Sequence, residues 1–333
     1  MILVAIKTYI DEIKNAVGER EAFRKSCYAG LSVDEKRQLE VAGFSPYSGK
    51  VRDLVRAEDE LWIYHSDRLT AFDRYIGLVP FKGLILGKIS EFWLHQASKL
   101  MPVYYRRSPH PRVICGEAME PIKAEVIVRG HMAGSMARAY SKGIRNFCGI
   151  QLSDGLFEYS PLPQAIITPT TKAEAFEHDQ NASATELIEA GICTSEEGDQ
   201  ISEMALRLFC YGQEVYRKKG WILVDTKYEF GRSSEGELKV IDEVHTPDSS
   251  RLWRASDYED RLAKGLAPEM LDKEIVRRYL LDQGFSGAGD VPTVPAEVLV
   301  SLAEVYLEVA ETLLGEALTT VANGALPFPA LKS

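Results

Sequence analysis

The 333 residues are 45% hydrophobic and 26% charged, enough apolar material to bury the core of one large domain or of two lobes. A formal net charge of −10 without a long basic run excludes a dominant nucleic-acid face, because a phosphate backbone requires clustered Lys and Arg. The opening MILVAIKTYIDEIKN is interrupted by Lys7, Asp11 and Glu12, which suits neither a secretory h-region nor a membrane span, and five dispersed cysteines with no CxxC pair suit reduced thiols, so the expected compartment is the cytoplasm.

Residues 1–42 read as a charged helical extension, and the cluster GFSPYSG from Gly43 breaks that pattern. Residues 43–121 alternate short apolar runs with turns, giving a small β-rich lobe, with one helix expected over residues 90–100 from the spacing of Phe92, Trp93, Gln96, Ala97 and Leu100. Residues 122–333 form the larger lobe. It opens with EVIVRGHMAGSMARAY, a strand through Val128, a glycine turn and a helix from near Ser135. A helix start presents unpaired N–H groups and a positive dipole end, so residues 134–135 make an anion seat, with Arg129 before them and Arg138 one turn along. Residues 153–171 read as a loop. An apolar stripe of Ile201, Met204, Ala205, Leu208, Tyr211, Val215 and Tyr216 predicts a core helix over 197–218, and a similar stripe predicts another over 296–314.

Between those helices lie two segments with ionisable groups in strand-like surroundings. In GWILVDTKYEFG, residues 220–231, alternation places Asp225, Lys227 and Glu229 on one face, a mixture that suits a metal–phosphate site. In LKVIDEVHT, residues 238–246, Asp242 and Glu243 sit among Val and Ile, where burial without compensation would be costly and a divalent cation would supply it. The competing reading is an exposed hairpin over the polar turn at 231–236. GLILGKIS lacks the spacing of a P-loop. SGKVRDLV offers Gly49 for a tight turn, with Lys50 and Arg52 above a triphosphate or in a plain hairpin. SDRLTAFDRYIG packs Asp67, Arg68, Asp73 and Arg74 into a short loop that either holds a zwitterionic or carboxylate ligand or screens its own charges. TPTTKAEAFEHDQNAS brings Lys172, Glu174, His178 and Asp179 to a segment that is either solvated or phosphate-contacting; it has no second zinc ligand, and the chain has no GxSxG.

These blocks, SGKVRDLV, SDRLTAFDRYIG, EVIVRGHMAGSMARAY, TPTTKAEAFEHDQNAS, ILVDTKYEFG and IDEVHTPDSSRLW, occur in that order and together resemble the SAICAR synthetase family of purine biosynthesis, over about residues 43–253. The resemblance implies a two-lobed α+β fold, ATP-grasp-like, with a kinase-like small antiparallel β lobe and a larger α/β lobe carrying C-terminal helices. It implies ATP-dependent ligation of L-aspartate to the carboxylate of an aminoimidazole carboxylate ribonucleotide, with ATP and Mg2+ as cofactors, small molecules as the only implied partners, and no fixed oligomeric state. Carried over by position, Gly49, Lys50, Arg52 and Lys172 contact the nucleotide, and Glu229 and Asp242 serve the metal and triphosphate. Arg129, Ser135 and Arg251 hold the ribonucleotide phosphate, Asp225 its ribose hydroxyls, and Lys227 the reacting carboxylate, so that Lys227, Asp225 and Arg129 form the catalytic group. Asp67, Asp73, Arg74 and Asp179 fall near the imidazole or aspartate pocket, and residues 122–126 at an adenine-facing hinge. A small-molecule kinase on the same scaffold and a silent nucleotide-binding scaffold are the rival readings.

Overall fold

The computed structural model describes residues 3–15, 27–172, 180–321 and 326–329. It is a mixed α/β structure built on antiparallel sheets and divided into two compact units, one drawing on residues 1–92, 105–118 and 272–333 and the other on 93–104 and 119–271. Among the described residues no helix is long and apolar enough to cross a membrane.

The first unit is organised on a five-stranded sheet in the order Ser45–Ser48, Arg52–Ala57, Glu60–His65, Val113–Glu117, Tyr105–His110. Strand alternation puts Val55, Trp62, Tyr64, Val113 and Cys115 on one face, and the register, Val55 opposite Trp62 and Trp62 opposite Cys115, joins them into a layer. Leu31, Leu39 and Phe44 from one side of the chain and Leu326 and Phe328 from the other close over that layer, and the Tyr64 hydroxyl donates to the Pro327 carbonyl at 2.9 Å. The helix Val33–Val41 begins on a reciprocal cap between Ser32 and Glu35.

The expected division kept residues 122–333 together, whereas residues 272–333 group with the amino-terminal unit. Helix Ala296–Leu314 has the expected bounds and packs against helix Ile6–Asn15, whose Ile6, Ile10 and Ile13 are buried. Each helix has an apolar stripe that it cannot bury alone. Lys14 pairs with Glu304 at 2.9 Å, and the strands Leu3–Ala5 and Thr319–Val321 pair beside them.

Two local expectations also shift. The helix expected over 90–100 runs from Lys82 to Ala97, because Gly83 and Gly87 serve close packing and do not break it. A Cβ on Gly83 would lie 2.2 Å from the His65 carbonyl oxygen, and one on Gly87 2.1 Å from that of Pro111. SDRLTAFDRYIG is a hairpin of Arg68–Ala71 with Arg74–Leu78, turned at Phe72 and Asp73 in the left-handed region, with φ of 52° and 59°.

In the second unit the central strand Trp221–Arg232 pairs on one edge with Ala124–His131 and on the other with Leu238–Ile241 and Ser250–Arg254. Helix Ser195–Lys218, capped by Thr194 and Glu197, buries Leu208, Phe209 and Tyr216 and packs on this strand, with Tyr216 against Trp221. The expected loop at 153–171 contains the strand Pro161–Ile167, which pairs with Ala124–His131 across a bulge, and the short strand Thr170–Thr171. Its prolines fit because it is an outer strand with an irregular register.

Asp67 is fully buried and saturated. The guanidinium of Arg112 grips it at 2.7 and 3.2 Å, and the backbone N–H groups of Gly83 and Tyr28 donate to it at 2.8 and 2.7 Å. Truncating one partner of such a pair leaves an uncompensated buried charge. Arg112→Ala is therefore expected to lower the unfolding free energy by about 3–5 kcal/mol, measurable as a shifted denaturant midpoint of the first unit; a loss no larger than that of an exposed Arg would contradict this role for the pair.

Candidate functional site

The centre of the site is Asp225, caught between two arginines by strand register. Arg129 stands opposite Asp225 on one neighbouring strand and Arg251 opposite it on the other. Both guanidiniums donate to the same carboxylate oxygen, Arg129 at 3.0 Å and Arg251 at 2.7 Å. Arg129 also donates to the hydroxyls of Thr168 at 2.8 Å and Ser135 at 3.3 Å. Burial lowers its pKa from the usual arginine value, with Asp225 opposing the shift and Arg251 reinforcing it. One carboxylate between two guanidiniums leaves an excess positive charge.

That excess lies beside the helix Gly134–Ser141, whose N-cap Ala133 offers no side chain to the first N–H groups. Gly134 has φ +61°, and a Cβ there would come within 2.5 Å of the Arg251 guanidinium. Glycine is what lets Arg251 lie against the helix start. Guanidinium forks and a helix N-terminus together suit a phosphate monoester.

Along the same face of the central strand the sign of the charge reverses. Lys227 donates to Glu125 at 2.9 Å and Glu229 at 2.6 Å and lies 3.9 Å from Asp242. Burial would lower its pKa, but the carboxylates of Glu229, Glu125 and Asp242 outweigh burial and hold it well above the ordinary lysine value. Glu229, itself buried, takes Lys172 on its second oxygen at 2.5 Å. Burial would raise its pKa, and the two ammonium groups instead hold it well below the ordinary carboxylate range. Asp242 turns into this group from a left-handed backbone position, φ 63°, just after the strand Leu238–Ile241.

The carboxylates are hard oxygen donors of the kind Mg2+ takes, and each carboxylate keeps lone pairs beyond those its lysines use. Among the described residues no three His, Cys, Asp or Glu side chains form a metal-holding group. Glu229 and Asp242 fit the commoner Mg2+ arrangement, in which one or two carboxylates share the ion with water and phosphate oxygens.

The site residues expected from the sequence thus fall into two groups. Arg129, Ser135, Lys172, Asp225, Lys227, Glu229, Asp242 and Arg251 all lie in the second unit, gathered around Asp225, Lys227 and Glu229 of the central strand. Gly49, Lys50, Arg52 and Asp73 lie in the first unit. There the Gly49 N–H donates to the Arg52 carbonyl at 2.8 Å, closing the turn between two strands, and exposed Lys50 pairs with Asp73 at 2.9 Å. Arg74 donates to the Gly287 carbonyl at 3.3 Å. Asp179 and His178 lie outside the described residues. Sequence reasoning missed Glu125 and Thr168. Glu125 had a signal, since in EVIVRG it alternates onto the face of Arg129.

The SAICAR synthetase family model matches residues 45–292. The phosphoribosylaminoimidazole-succinocarboxamide synthase, chloroplastic, of Arabidopsis thaliana is 44% identical over 276 residues, 81% of this chain and 67% of that protein. Among solved structures, SAICAR synthase from Saccharomyces cerevisiae complexed with SAICAR is similar with a TM-score of 0.71 at 28% identity, over 83% of this chain and 96% of that one. A SAICAR synthetase in complex with ADP is similar with a TM-score of 0.63 at 25% identity, over 82% of this chain and 99% of that one.

The contact at Gly134 can be tested directly. Gly134→Ala is expected to push Arg251 from its place and weaken binding of ribose 5-phosphate, used as a phosphate monoester probe, by about tenfold or more, or ~1.4 kcal/mol. Titration calorimetry reads it, and an unchanged affinity would show that this approach does not hold the anion seat.

Proposed function

This chain belongs to the SAICAR synthetase family, and we propose that it joins L-aspartate to the carboxylate of 5-amino-1-(5-phosphoribosyl)imidazole-4-carboxylate at the expense of ATP, giving SAICAR, ADP and phosphate. The observation that carries this reading is the strand face of Trp221–Arg232, where a phosphate seat at Arg129, Asp225 and Arg251 adjoins the acidic group around Lys227. A small-molecule kinase needs the second feature but has no use for a separate seat for a ribonucleotide phosphate.

A carboxylate is a poor acyl donor because its charge repels a nucleophile. ATP removes that obstacle by converting it to an acyl phosphate or an equivalent, which the amine of aspartate then attacks with loss of phosphate. The chain's part is placement and charge neutralisation. Arg129, Ser135 and Arg251 grip the ribonucleotide phosphate, while Asp225 sets the two guanidiniums and faces the ribose hydroxyls. Lys227 meets the reacting carboxylate. Glu229 and Asp242 would hold Mg2+, which when bound neutralises charge on the triphosphate. Lys172, Gly49, Lys50 and Arg52 contact the nucleotide, and Asp73, Asp179 and residues 122–126 complete the imidazole, aspartate and adenine surroundings. We read the five-stranded sheet as a kinase-like small lobe and the second unit as ATP-grasp-like; the glycine turn joining two antiparallel strands supports the first part of that reading. The five free cysteines are in keeping with a cytoplasmic setting, although the Arabidopsis relative is named chloroplastic.

The decisive measurement is a coupled assay of ADP release with each substrate omitted in turn. Dependence on both aspartate and the aminoimidazole carboxylate ribonucleotide is expected; ADP release without aspartate would favour a kinase. Asp242→Asn changes one charge and little volume. It is expected to reduce Mg-dependent turnover roughly 100-fold, equivalent to about 2.7 kcal/mol of barrier, with unchanged circular dichroism, and near-normal turnover at ordinary Mg2+ would count against the assignment of Asp242.

A further inference from the structure

Within SDRLTAFDRYIG, Arg68 reaches the backbone of the glycine turn with two of its side-chain nitrogens. Its Nε donates to the Lys50 carbonyl at 3.2 Å, and one terminal nitrogen donates to the Gly49 carbonyl at 3.2 Å and to Asp53 at 2.9 Å. Its other terminal nitrogen donates to the Ala29 carbonyl. A single planar guanidinium thus ties the turn at residues 49–50 to a segment about twenty residues upstream.

That upstream segment is fastened through Tyr28, Ala29 and Leu31. The Tyr28 N–H donates to the Asp67 carboxylate and its carbonyl accepts from the Asp67 N–H, both at 2.7 Å, while the Leu31 N–H donates to Asp53 at 2.6 Å. Asp53 is fully buried and Arg68 half-buried, with 16% of its side chain exposed. Gly30 sits between them at φ +115°, where a Cβ would be 2.2 Å from the Arg68 guanidinium and 2.3 Å from the Asp53 carboxylate. Only glycine allows this closeness. The remaining residue of the turn, Val51, is held from the same side, its carbonyl accepting from the Ser66 hydroxyl at 2.6 Å.

We propose that Arg68 is a positioning residue for the nucleotide turn, and that residues 28–31 form a brace through which Arg68 and Asp53 hold the Gly49 and Lys50 carbonyls in place. The inference rests on the reading that residues 49–52 contact ATP. Backbone carbonyls fixed by an internal cation direct the intervening N–H groups and the Lys50 side chain outward, which is the arrangement a turn over phosphates requires. Arg suits the task because its fork serves several acceptors at once; a lysine ammonium would keep the charge and lose the geometry. The upstream segment, read from sequence as part of a charged helical extension, thereby acts on nucleotide affinity without touching the nucleotide.

The experiment compares wild type with Arg68→Lys and Gly30→Ala, the second disturbing the brace while leaving Arg68, Asp53 and the turn chemically intact. Steady-state kinetics give KM separately for ATP, aspartate and the ribonucleotide, and ADP affinity is measured by calorimetry. Both variants are expected to raise KM for ATP and weaken ADP binding about tenfold, with the other two KM values within about twofold. Amide hydrogen exchange is expected to speed up together in residues 28–31 and 48–52. Should either folded variant keep wild-type ADP affinity, or should all three KM values move alike, the brace is refuted as a positioning device. If Arg68→Lys fails to fold, Gly30→Ala alone decides on the same criteria. Lack of ADP binding by wild type would instead overturn the nucleotide reading of the turn.

Discussion

A carboxylate shared by two guanidiniums across three adjacent strands is the interaction on which the rest of the site depends. Asp225 is buried, and without its arginines it would not tolerate ionisation; without Asp225 the arginines would face each other with only water or a ligand between them. The sheet makes the arrangement obligatory, because the register places Arg129, Asp225 and Arg251 in one transverse row. Any slip by a single residue would turn the whole row to the other face.

From this row the central strand advances roughly 7 Å for every two residues. Lys227 and Glu229 therefore follow Asp225 as successive steps along one wall, and the charge changes from a cationic excess to an acidic group within that distance. A substrate anchored by its phosphate at one end would have its reactive end carried toward the other. The opposite face of the same strand is apolar and aromatic, with Tyr228 and Phe230 buried, so one strand serves as both core and site wall.

Much of this was legible in the sequence for a physical reason. Period-two placement of Asp225, Lys227 and Glu229 in an apolar run has few other interpretations, and the helix bounds at residues 296–314 follow from an uninterrupted stripe. What was hidden depends on partners distant in the chain. Pro161 and Pro163 lie in a segment read as a loop, and an outer strand accommodates them; Gly83 and Gly87 interrupt the first turns of a helix that needs them for close backbone approach. Nothing local to Arg68 reveals that its acceptors are carbonyls of residues 29, 49 and 50. The grouping of residues 272–333 with the amino-terminal unit likewise follows from complementary stripes on two helices far apart in sequence.

The three carboxylates around Lys227 have a chemical consequence for the condensation itself. An amine that holds its proton so firmly cannot accept another from aspartate at neutral pH; it is restricted to donating hydrogen bonds and positive charge. The incoming amine of aspartate therefore meets in Lys227 a cation fixed by its carboxylates and not a proton acceptor.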